Sequence, residues 1–331
     1  MTTVGGILYN QIFVTPPYPN QDFTGLTVIV TGANTGLGLE AARHFVRLNA
    51  EKVILAVRTV KKGEEAKKSI ESSANRNGVV EVWELDLSRY DSVKEFANKC
   101  NKNLKRLDCV VENAGISAAE YNTLEGTEST LTVNVYSTFL LGILLLPFLR
   151  KTSVTFNTLT RLVIIASEVH GLVALPERFE PNILDAINAE KSSKDMLRRY
   201  MVSKLLEVLL VRELAAQVGK PEDQGVIINS VNPGFCVSEL TRNLSFFARI
   251  MQNLIQLILA RSAEIGSRTH VYAAAGSAET HGQYMGNCVV EPPSDFVRSG
   301  EGAETQQRLY IELLEKLEVI EPGISKLIKA K

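Results

Sequence analysis

The feature that most constrains the fold is a glycine-rich turn between an apolar run and an amphipathic segment. Residues Leu26–Thr31 are mostly β-branched, Thr31–Gly38 reads TGANTGLG, and Leu37–Leu48 carries its apolar residues on one helical face. Glycines permit a sharp bend and close approach of a phosphate, while the following helix offers free N–H groups and a positive dipole end. A strand before the turn and a helix after it favour a dinucleotide site over a purely structural turn.

The alternation of strand and helix continues along the chain. Further short runs rich in Val, Ile and Leu lie at Lys52–Val57, Val79–Leu85, Leu107–Val111, Arg161–Ala166, Val226–Val231 and Gln283–Val289. Apolar strands that alternate with helices are typical of a parallel sheet covered on both faces. We therefore predict an α/β fold, a Rossmann-type doubly wound parallel sheet of about seven strands in a single domain.

The 331 residues exceed what the sheet itself needs, although α/β folds of roughly 250 residues can form one domain. We assign an N-terminal surface arm to residues 1–24 and the Rossmann domain to residues 25–331. Within that domain we expect an insert at 170–199, a substrate lid at 235–262 and a C-terminal helix at 301–320. The lid carries apolar residues at helical spacing, for which core packing and membrane contact are the alternatives.

Composition excludes several classes of function. Lys and Arg number 36 against 37 Asp and Glu, which removes the electrostatic case for nucleic acid as a partner. Four cysteines without a C-x-x-C pair, and no histidine pair at zinc spacing, predict no metal site. The longest apolar run, Phe139–Leu149, is short for a membrane span of about 20 residues. Without a secretory signal at the start, we expect a cytoplasmic protein that does not associate with membranes.

Residues after the second predicted strand bear on the choice of nucleotide. An acidic residue there would bind the ribose 2′-hydroxyl of NAD, whereas a basic residue accommodates the 2′-phosphate of NADP. This chain has Arg58, followed by Lys61 and Lys62. A guanidinium binds phosphate well, so we favour NADP(H) over NAD. A solvated cationic face is the alternative, which suits the two lysines better than Arg58.

A tyrosine and a lysine lie one helical turn apart at the start of an apolar helix. Tyr200 and Lys204 are four residues apart and therefore share a helix face. The pKa of tyrosine is about 10, and a neighbouring ammonium lowers it, which suits proton exchange with a substrate oxygen. Alone this spacing is common on protein surfaces. Ser167, however, ends the fifth predicted strand, at the sheet edge where ligands of parallel sheets bind.

Two asparagines are placed near the same edge. Asn113 begins an Asn-Ala-Gly sequence that ends the fourth predicted strand. Asn134 lies between apolar residues of the next helix, where an amide without partners would be costly. We expect Asn134 to have a hydrogen-bonding role, structural or catalytic.

With these motifs in this order, the chain resembles the short-chain dehydrogenase/reductase family in its classical form, from about Phe23 to Tyr284. It is most similar to the retinol-dehydrogenase-like and fungal secondary-metabolite branches. Similarity to the fungal branch is carried by Glu112–Gly115, Ser167–His170 and His281–Tyr284.

The resemblance implies a role for each matching residue. Tyr200 would be the general acid or base, Lys204 would lower its pKa and hold the nicotinamide ribose, and Ser167 would orient the substrate oxygen. Asn134 would hold a water that links Lys204 to solvent. The predicted cofactor contacts are Gly32, Asn34, Thr35, Gly36, Leu37, Gly38, Arg58, Lys62, Asp86, Leu87, Asn113, Ala114, Gly115, Tyr200, Lys204, Pro233, Gly234, Val237 and Ser238.

These residues predict an NADP(H)-dependent oxidoreductase that acts on the carbonyl or secondary alcohol of a mainly apolar small molecule, such as a polyketide-like intermediate. A non-redox cyclase or isomerase and a nucleotide-binding scaffold are the alternatives. One apolar face of the helix after Tyr200 is free to bind a second subunit in a homodimer, as in many relatives. The N-terminal arm or the C-terminal helix would cover this face equally well.

Overall fold

The computed structural model describes residues 4–190, 195–237 and 259–329. Its strands are short, and those in the middle of the sheet are almost entirely buried, as expected for runs of Val, Ile and Leu in a covered sheet. In chain order they are β1 Thr27–Thr31, β2 Lys52–Val57, β3 Val80–Glu84, β4 Cys109–Glu112, β5 Thr123–Leu124, β6 Thr127–Glu128, β7 Thr160–Ile165, β8 Val226–Asn232, β9 Tyr284–Gly286 and β10 Val289–Val290.

Eight of these strands form one sheet within the described residues, in the order β10-β9-β8-β7-β4-β1-β2-β3. All neighbours in this sheet are parallel except β10 and β9. The direction of winding reverses between β1 and β4, and such a switch point leaves a crevice at the carboxyl ends of the strands. The predicted Rossmann-type sheet in a single domain is confirmed.

The sheet has one strand more than the predicted seven. The run Gln283–Val289 forms two strands rather than one, because the chain reverses at Asn287 and Cys288. Both residues have positive φ, 49° and 67°, which is the geometry of a type I′ hairpin turn. Asparagine tolerates this conformation, but cysteine gives no sequence signal for it.

The helices occupy both faces of the sheet. One face is covered mainly by the helices Gly36–Arg47, Val60–Ala74 and Ala263–Ala274. The other face is covered by the longer apolar helices Thr138–Phe156, Met196–Val218 and Gly300–Ile320. In chain order they are α1 Val4–Phe13, α2 Gly36–Arg47, α3 Val60–Ala74, α4 Tyr90–Asn103, α5 Ser129–Leu131, α6 Thr138–Phe156, α7 Ile183–Asn188, α8 Met196–Val218, α9 Pro221–Gln224, α10 Ala263–Ala274, α11 Asp295–Arg298 and α12 Gly300–Ile320.

A π-helical turn, Thr132–Ser137, joins α5 and α6 into one helix of 28 residues. By length and composition this helix is long and apolar enough to cross a membrane. Its longest apolar run, Phe139–Leu149, is shorter than a membrane span. Of its most apolar window, 89% is buried inside the protein. Packing against the sheet and its neighbouring helices therefore accounts for its hydropathy.

The C-terminal helix α12 packs along α8. Gln306 accepts a hydrogen bond from Arg212 Nε at 3.1 Å and donates one to Glu213 Oε2 at 2.8 Å. Leu309 and Leu313 of α12 lie in the same buried cluster as the apolar residues of α8.

The predicted insert at 170–199 contains the short helix α7 and parts of two 3-10 turns, at Glu168–Leu172 and Pro176–Phe179. It is joined to α12 by the Leu184 N–H, which donates to Glu312 at 2.9 Å. A position beside the substrate pocket stays a prediction. Most of the predicted lid, including its apolar residues 246–257, lies outside the described residues.

Candidate active site

The glycine-rich turn lies where β1 ends and α2 begins. Gly32 and Gly36 have φ of 64° and 57°, a region that favours glycine. A Cβ on Gly38 would lie 2.5 Å from Asn113 Nδ2 and 2.7 Å from Gly32 O, so no side chain fits there without a shift. The turn is therefore packed closely against β4, with the N-terminus of α2 directed to the crevice.

Asn113 joins this turn to β4 through neutral hydrogen bonds. Its Nδ2 donates to Thr31 O at 2.9 Å, and the Ala114 N–H donates to Thr31 Oγ1 at 2.9 Å. On its other side, Asn113 Oδ1 lies 3.2 Å from Nε2 of His270, a fully buried residue of α10. Because a carbonyl oxygen only accepts, Nε2 is the protonated nitrogen of this ring.

His270 was not among the predicted site residues, since no motif surrounds it. Burial lowers its pKa to about 3, with a smaller contribution from His44. The imidazole is thus neutral near neutral pH and acts as a hydrogen-bond donor behind the turn.

The remaining predicted cofactor residues follow the same edge of the sheet. Arg58 and Lys62 are exposed just after β2, as a site for a 2′-phosphate requires. Asp86 follows β3 and accepts two hydrogen bonds from Ser88, at 2.7 and 3.0 Å. After β8 come Pro233, Gly234 with φ of 79°, and half-exposed Val237. Ser238 lies outside the described residues.

This arrangement fits a dinucleotide. Bare backbone at Gly32, Gly36 and Gly115 lies along the crevice, and at Gly115 a Cβ would come within 3.2 Å of Asn134 Oδ1. The positive end of the α2 dipole and the exposed Arg58 supply the charge that phosphates require.

Ser167, Tyr200 and Lys204 come together at the carboxyl end of β7. Ser167 follows the strand by two residues, and its side chain lies close enough to Tyr200 to lower the pKa of the phenol. Lys204 Nζ donates to Ile165 O at 2.7 Å and lies 5.7 Å from the centre of the Tyr200 ring. A substrate oxygen beside Ser167 and Tyr200 would meet two hydroxyl groups, which suits proton transfer to or from that oxygen.

Asn134 lies in the π-helical turn and is fully buried. Its Nδ2 donates to Ile116 O at 2.9 Å and to Ser203 Oγ at 3.0 Å, and its Oδ1 accepts from the Ile116 N–H at 2.8 Å. The amide thus has protein partners that bind the loop after β4 to α8, beside Lys204. π-Helical turns often occur at functional sites. The water-holding role implied by the family stays a prediction.

Charges around Tyr200 oppose one another. Burial raises the pKa of Tyr200 above its usual value, and the Lys204 ammonium lowers it by a smaller amount. Glu207 raises the pKa further, while the hydrogen bond with Ser167 lowers it. Lys204 therefore lowers the pKa of Tyr200, as expected, but this effect is smaller than the opposing effect of burial.

His170, three residues after Ser167, holds the loop that carries this serine. Its Nδ1 donates to Ser167 O at 2.7 Å, and its Nε2 accepts from the Ser294 N–H at 3.0 Å. This network ties the serine to the segment before α11.

The N-terminal arm contacts the same end of the molecule, which sequence reasoning did not foresee. Gln11 of α1 donates to Phe235 O at 2.7 Å and to Leu259 O at 2.6 Å, and it accepts from the Phe235 N–H at 3.1 Å. It therefore bridges the two ends of the segment that begins after the Pro233-Gly234 turn. The signal for this contact is a pair of amides, Asn10 and Gln11, in an otherwise apolar helix.

Comparison with known proteins agrees with this geometry. The family model described as short chain dehydrogenase matches residues 26–175. Short chain dehydrogenase/reductase dmxR8 of Cryptosporiopsis sp. (strain 8999) is 46% identical over 97% of this chain and 99% of its own length. Short-chain dehydrogenase anuD of Penicillium roqueforti (strain FM164) is 42% identical over 97% of this chain and 85% of its own length.

A solved structure, a short-chain type dehydrogenase/reductase from Mycobacterium marinum, has a TM-score of 0.62 with 21% identity. It covers 80% of this chain and 94% of its own chain, and it supports the fold.

Fold, site and relatives together define an oxidoreductase of the nicotinamide-dependent kind that acts on alcohol and carbonyl groups. The chain belongs to the short-chain dehydrogenase/reductase family, and the predicted similarity to its fungal branch is confirmed.

Proposed function

We propose that this protein is an NADP(H)-dependent ketoreductase or alcohol dehydrogenase for a mainly apolar small molecule. The observation that carries the proposal is that Ser167, Tyr200 and Lys204 come together, with Lys204 Nζ 5.7 Å from the centre of the Tyr200 ring, at the sheet edge that also carries the glycine-rich turn. A scaffold without turnover does not require a partly buried phenol and a buried ammonium together at this edge.

Each side chain has one task in the proposed reaction. When bound, NADPH supplies the hydride. Ser167 holds the substrate oxygen, and Tyr200 donates its proton to that oxygen as negative charge develops. In the reverse direction Tyr200 accepts the proton. Lys204 favours the phenolate that remains after reduction, and Asn134 holds the adjoining backbone in place.

The proposed preference for NADP(H) over NAD rests on Arg58. Its guanidinium is exposed one residue after β2, and Lys62 lies four residues further along the first turn of α3. A charge-assisted hydrogen bond to a 2′-phosphate is stronger than one between neutral groups.

An apolar substrate is supported by exposed apolar side chains close in sequence to the predicted site residues. Leu172, Leu197 and Val237 are 45%, 59% and 49% exposed, and each lies within five residues of Ser167, Tyr200 or Gly234. Together with the fungal origin of the relatives, this favours a polyketide-like intermediate of secondary metabolism. A cytoplasmic location and a homodimer remain expectations for fractionation and sedimentation experiments.

The test is consumption of NADPH with a panel of aromatic and polycyclic ketones, compared between wild type and Tyr200→Phe. Wild type should reduce part of the panel, and the variant should not. Tyr272→Phe, in α10, is the matched control and should keep full activity. Turnover that persists in Tyr200→Phe would contradict the proposed mechanism.

A further inference from the structure

A buried carboxyl group directly contacts the lysine of the active site. Glu207 Oε1 accepts a hydrogen bond from Lys204 Nζ at 2.9 Å, and the two side chains are 3% and 8% exposed. Two of the three N–H groups of the ammonium therefore point to protein acceptors, since Ile165 O takes the other. An ion pair this deeply buried is sensitive to the removal of either partner.

A second buried carboxyl group lies on the other side of Glu207. Glu112, at the end of β4, is 3% exposed, and its oxygens have no hydrogen-bond partner within the described residues. Gly142 makes room for it, since a Cβ there would lie 3.0 Å from Glu112 Oε1. Burial raises the pKa of Glu112 well above its usual value, and Glu207 adds to this effect. Burial therefore favours the protonated form of Glu112.

Glu207 differs from Glu112 because it has a cationic partner, Lys204. Burial raises its pKa to about 7, against the opposing effect of Lys204. Burial alone would lower the pKa of Lys204, but Glu207 and Tyr200 together raise it above its usual value. The ammonium thus stays charged while the carboxyl group beside it gains or loses a proton.

We propose that Glu207 is a positioning residue that holds Lys204 and, through its own charge, sets how strongly the ammonium stabilises the phenolate of Tyr200. The proposal rests on the proposed role of Tyr200 in proton transfer. The titratable groups that interact with Glu207, among the described residues, are Lys204 and Tyr200 on its own helix and Glu112 on β4. Of the two carboxyl groups, Glu207 is the one in direct contact with the ammonium, so its charge acts on Lys204 more strongly.

The sign of this effect favours carbonyl reduction. An ionised Glu207 compensates Lys204, so that the pKa of Tyr200 is higher and the phenol keeps its proton. Reduction needs that proton, whereas alcohol oxidation needs the phenolate. Glu207 becomes ionised as the pH rises through its pKa. Because the ionised carboxylate raises the pKa of Tyr200, the phenol can act as an acid up to a higher pH.

The experiment measures ionisation of Tyr200 directly, by NMR of protein labelled with 13C at the tyrosine Cζ. The signal absent from Tyr200→Phe identifies this residue. In Glu207→Gln the midpoint of its titration should fall by roughly one pH unit. Glu213→Gln, a buried glutamate of the same helix that binds Gln217 and Gln306, is the matched control and should leave the midpoint unchanged.

An unchanged midpoint in Glu207→Gln would overturn the proposal. If this variant does not fold, Glu207→Asp replaces it, because it keeps the charge but moves it away from Lys204, and the midpoint should fall by a smaller amount. An unchanged midpoint in a folded Glu207→Asp would then overturn the proposal.

A second readout is the pH profile of ketone reduction, whose basic limb should move to lower pH in Glu207→Gln by the same interval. The NMR titration requires no substrate. A wild type that reduces no ketone would thus contradict the proposed function, whereas an unchanged Tyr200 titration would contradict only the role of Glu207.

Discussion

The two halves of the site lie at the same edge of one sheet, but they are held by different forces. Around the glycine-rich turn, Asn113, Thr31 and His270 form neutral hydrogen bonds between side chains and backbone. Around the proton-transfer group, Lys204 and Glu207 form a buried ion pair. The first half depends on close packing, the second on charge.

This difference determines how each half should respond to change. Neutral hydrogen bonds in a closely packed turn are insensitive to pH above about pH 6.5, the ordinary pKa of histidine, but they are intolerant of added atoms. A buried ion pair tolerates little loss of charge and responds to any group that titrates nearby. Variants that change the packing of the glycine-rich turn should therefore affect cofactor binding, whereas variants that change charge should affect proton transfer.

The largest effect is expected from Tyr200→Phe, which removes the proton-transfer group but little volume. Because general acid catalysis contributes about 10²- to 10⁴-fold, kcat/KM for ketone reduction should fall on the order of 10³-fold. The dissociation constant of NADPH, measured by fluorescence titration, should stay within about twofold, since this residue belongs to the charged half. An equal loss of cofactor affinity would remove the distinction between the halves.

The next largest effect is expected from Gly38→Ala in the neutral half. The new Cβ would lie 2.5 Å from Asn113 Nδ2, and overpacking of this kind costs about 1–3 kcal/mol. NADPH affinity should fall by roughly 10- to 100-fold, with the pH profile of turnover unchanged. Gly300→Ala, where a Cβ meets nothing within 4 Å, is the control and should bind NADPH as wild type does.

A smaller effect is expected from Arg58→Ser, which removes one charge from the cofactor end of the crevice. A hydrogen bond to a charged group contributes about 1.5–3 kcal/mol, so preference for NADPH over NADH should fall by at least about tenfold. Steady-state kinetics with both cofactors measures this ratio. Lys61→Ser should leave it unchanged, and an unchanged ratio in Arg58→Ser would remove the basis for NADP(H) preference.

The smallest effect is expected from His270→Gln, on the stability of the neutral half. The pKa of His270 is about 3 in the folded protein, below its ordinary value of 6.5. Its neutral form therefore stabilises the fold above about pH 6.5, and this contribution is lost as the pH falls toward 3.

Between about pH 7.5 and about pH 5.5, wild type should lose about 1 kcal/mol more stability than His270→Gln in urea unfolding. The other histidines titrate equally in both proteins and cancel in this difference. Equal losses would show that His270 does not titrate as a buried neutral group.

Much of this architecture follows from local sequence. The glycine-rich turn, the buried strands and the four-residue spacing of Tyr200 and Lys204 are short-range patterns with a physical cause. They predicted the fold, and they predicted the glycine-rich turn and the Tyr200–Lys204 pair, which the structure brings to the same edge of the sheet. Arg58 was predicted in the same way, from its position after β2.

Contacts between residues distant in sequence were not predictable. His270 and Asn113 are 157 residues apart, and Gln11 contacts residues more than 220 positions away. Glu112 belongs to a sequence shared with the fungal branch and Glu207 to a predicted helix, and nothing in either pattern indicates that the two carboxyl groups would be buried near each other. The turn at Asn287 and Cys288 was missed because cysteine rarely adopts positive φ.

The central claim is that hydride is transferred to a carbonyl carbon while Tyr200 supplies the proton. The most direct measurement uses NADPH deuterated at the transferable position of the nicotinamide, with mass spectrometry of the product from a ketone that wild type reduces. We predict one deuterium on the new carbinol carbon with wild type, and no such product with Tyr200→Phe. A product that forms at the wild-type rate without deuterium would contradict the claim and favour a non-redox cyclase or isomerase.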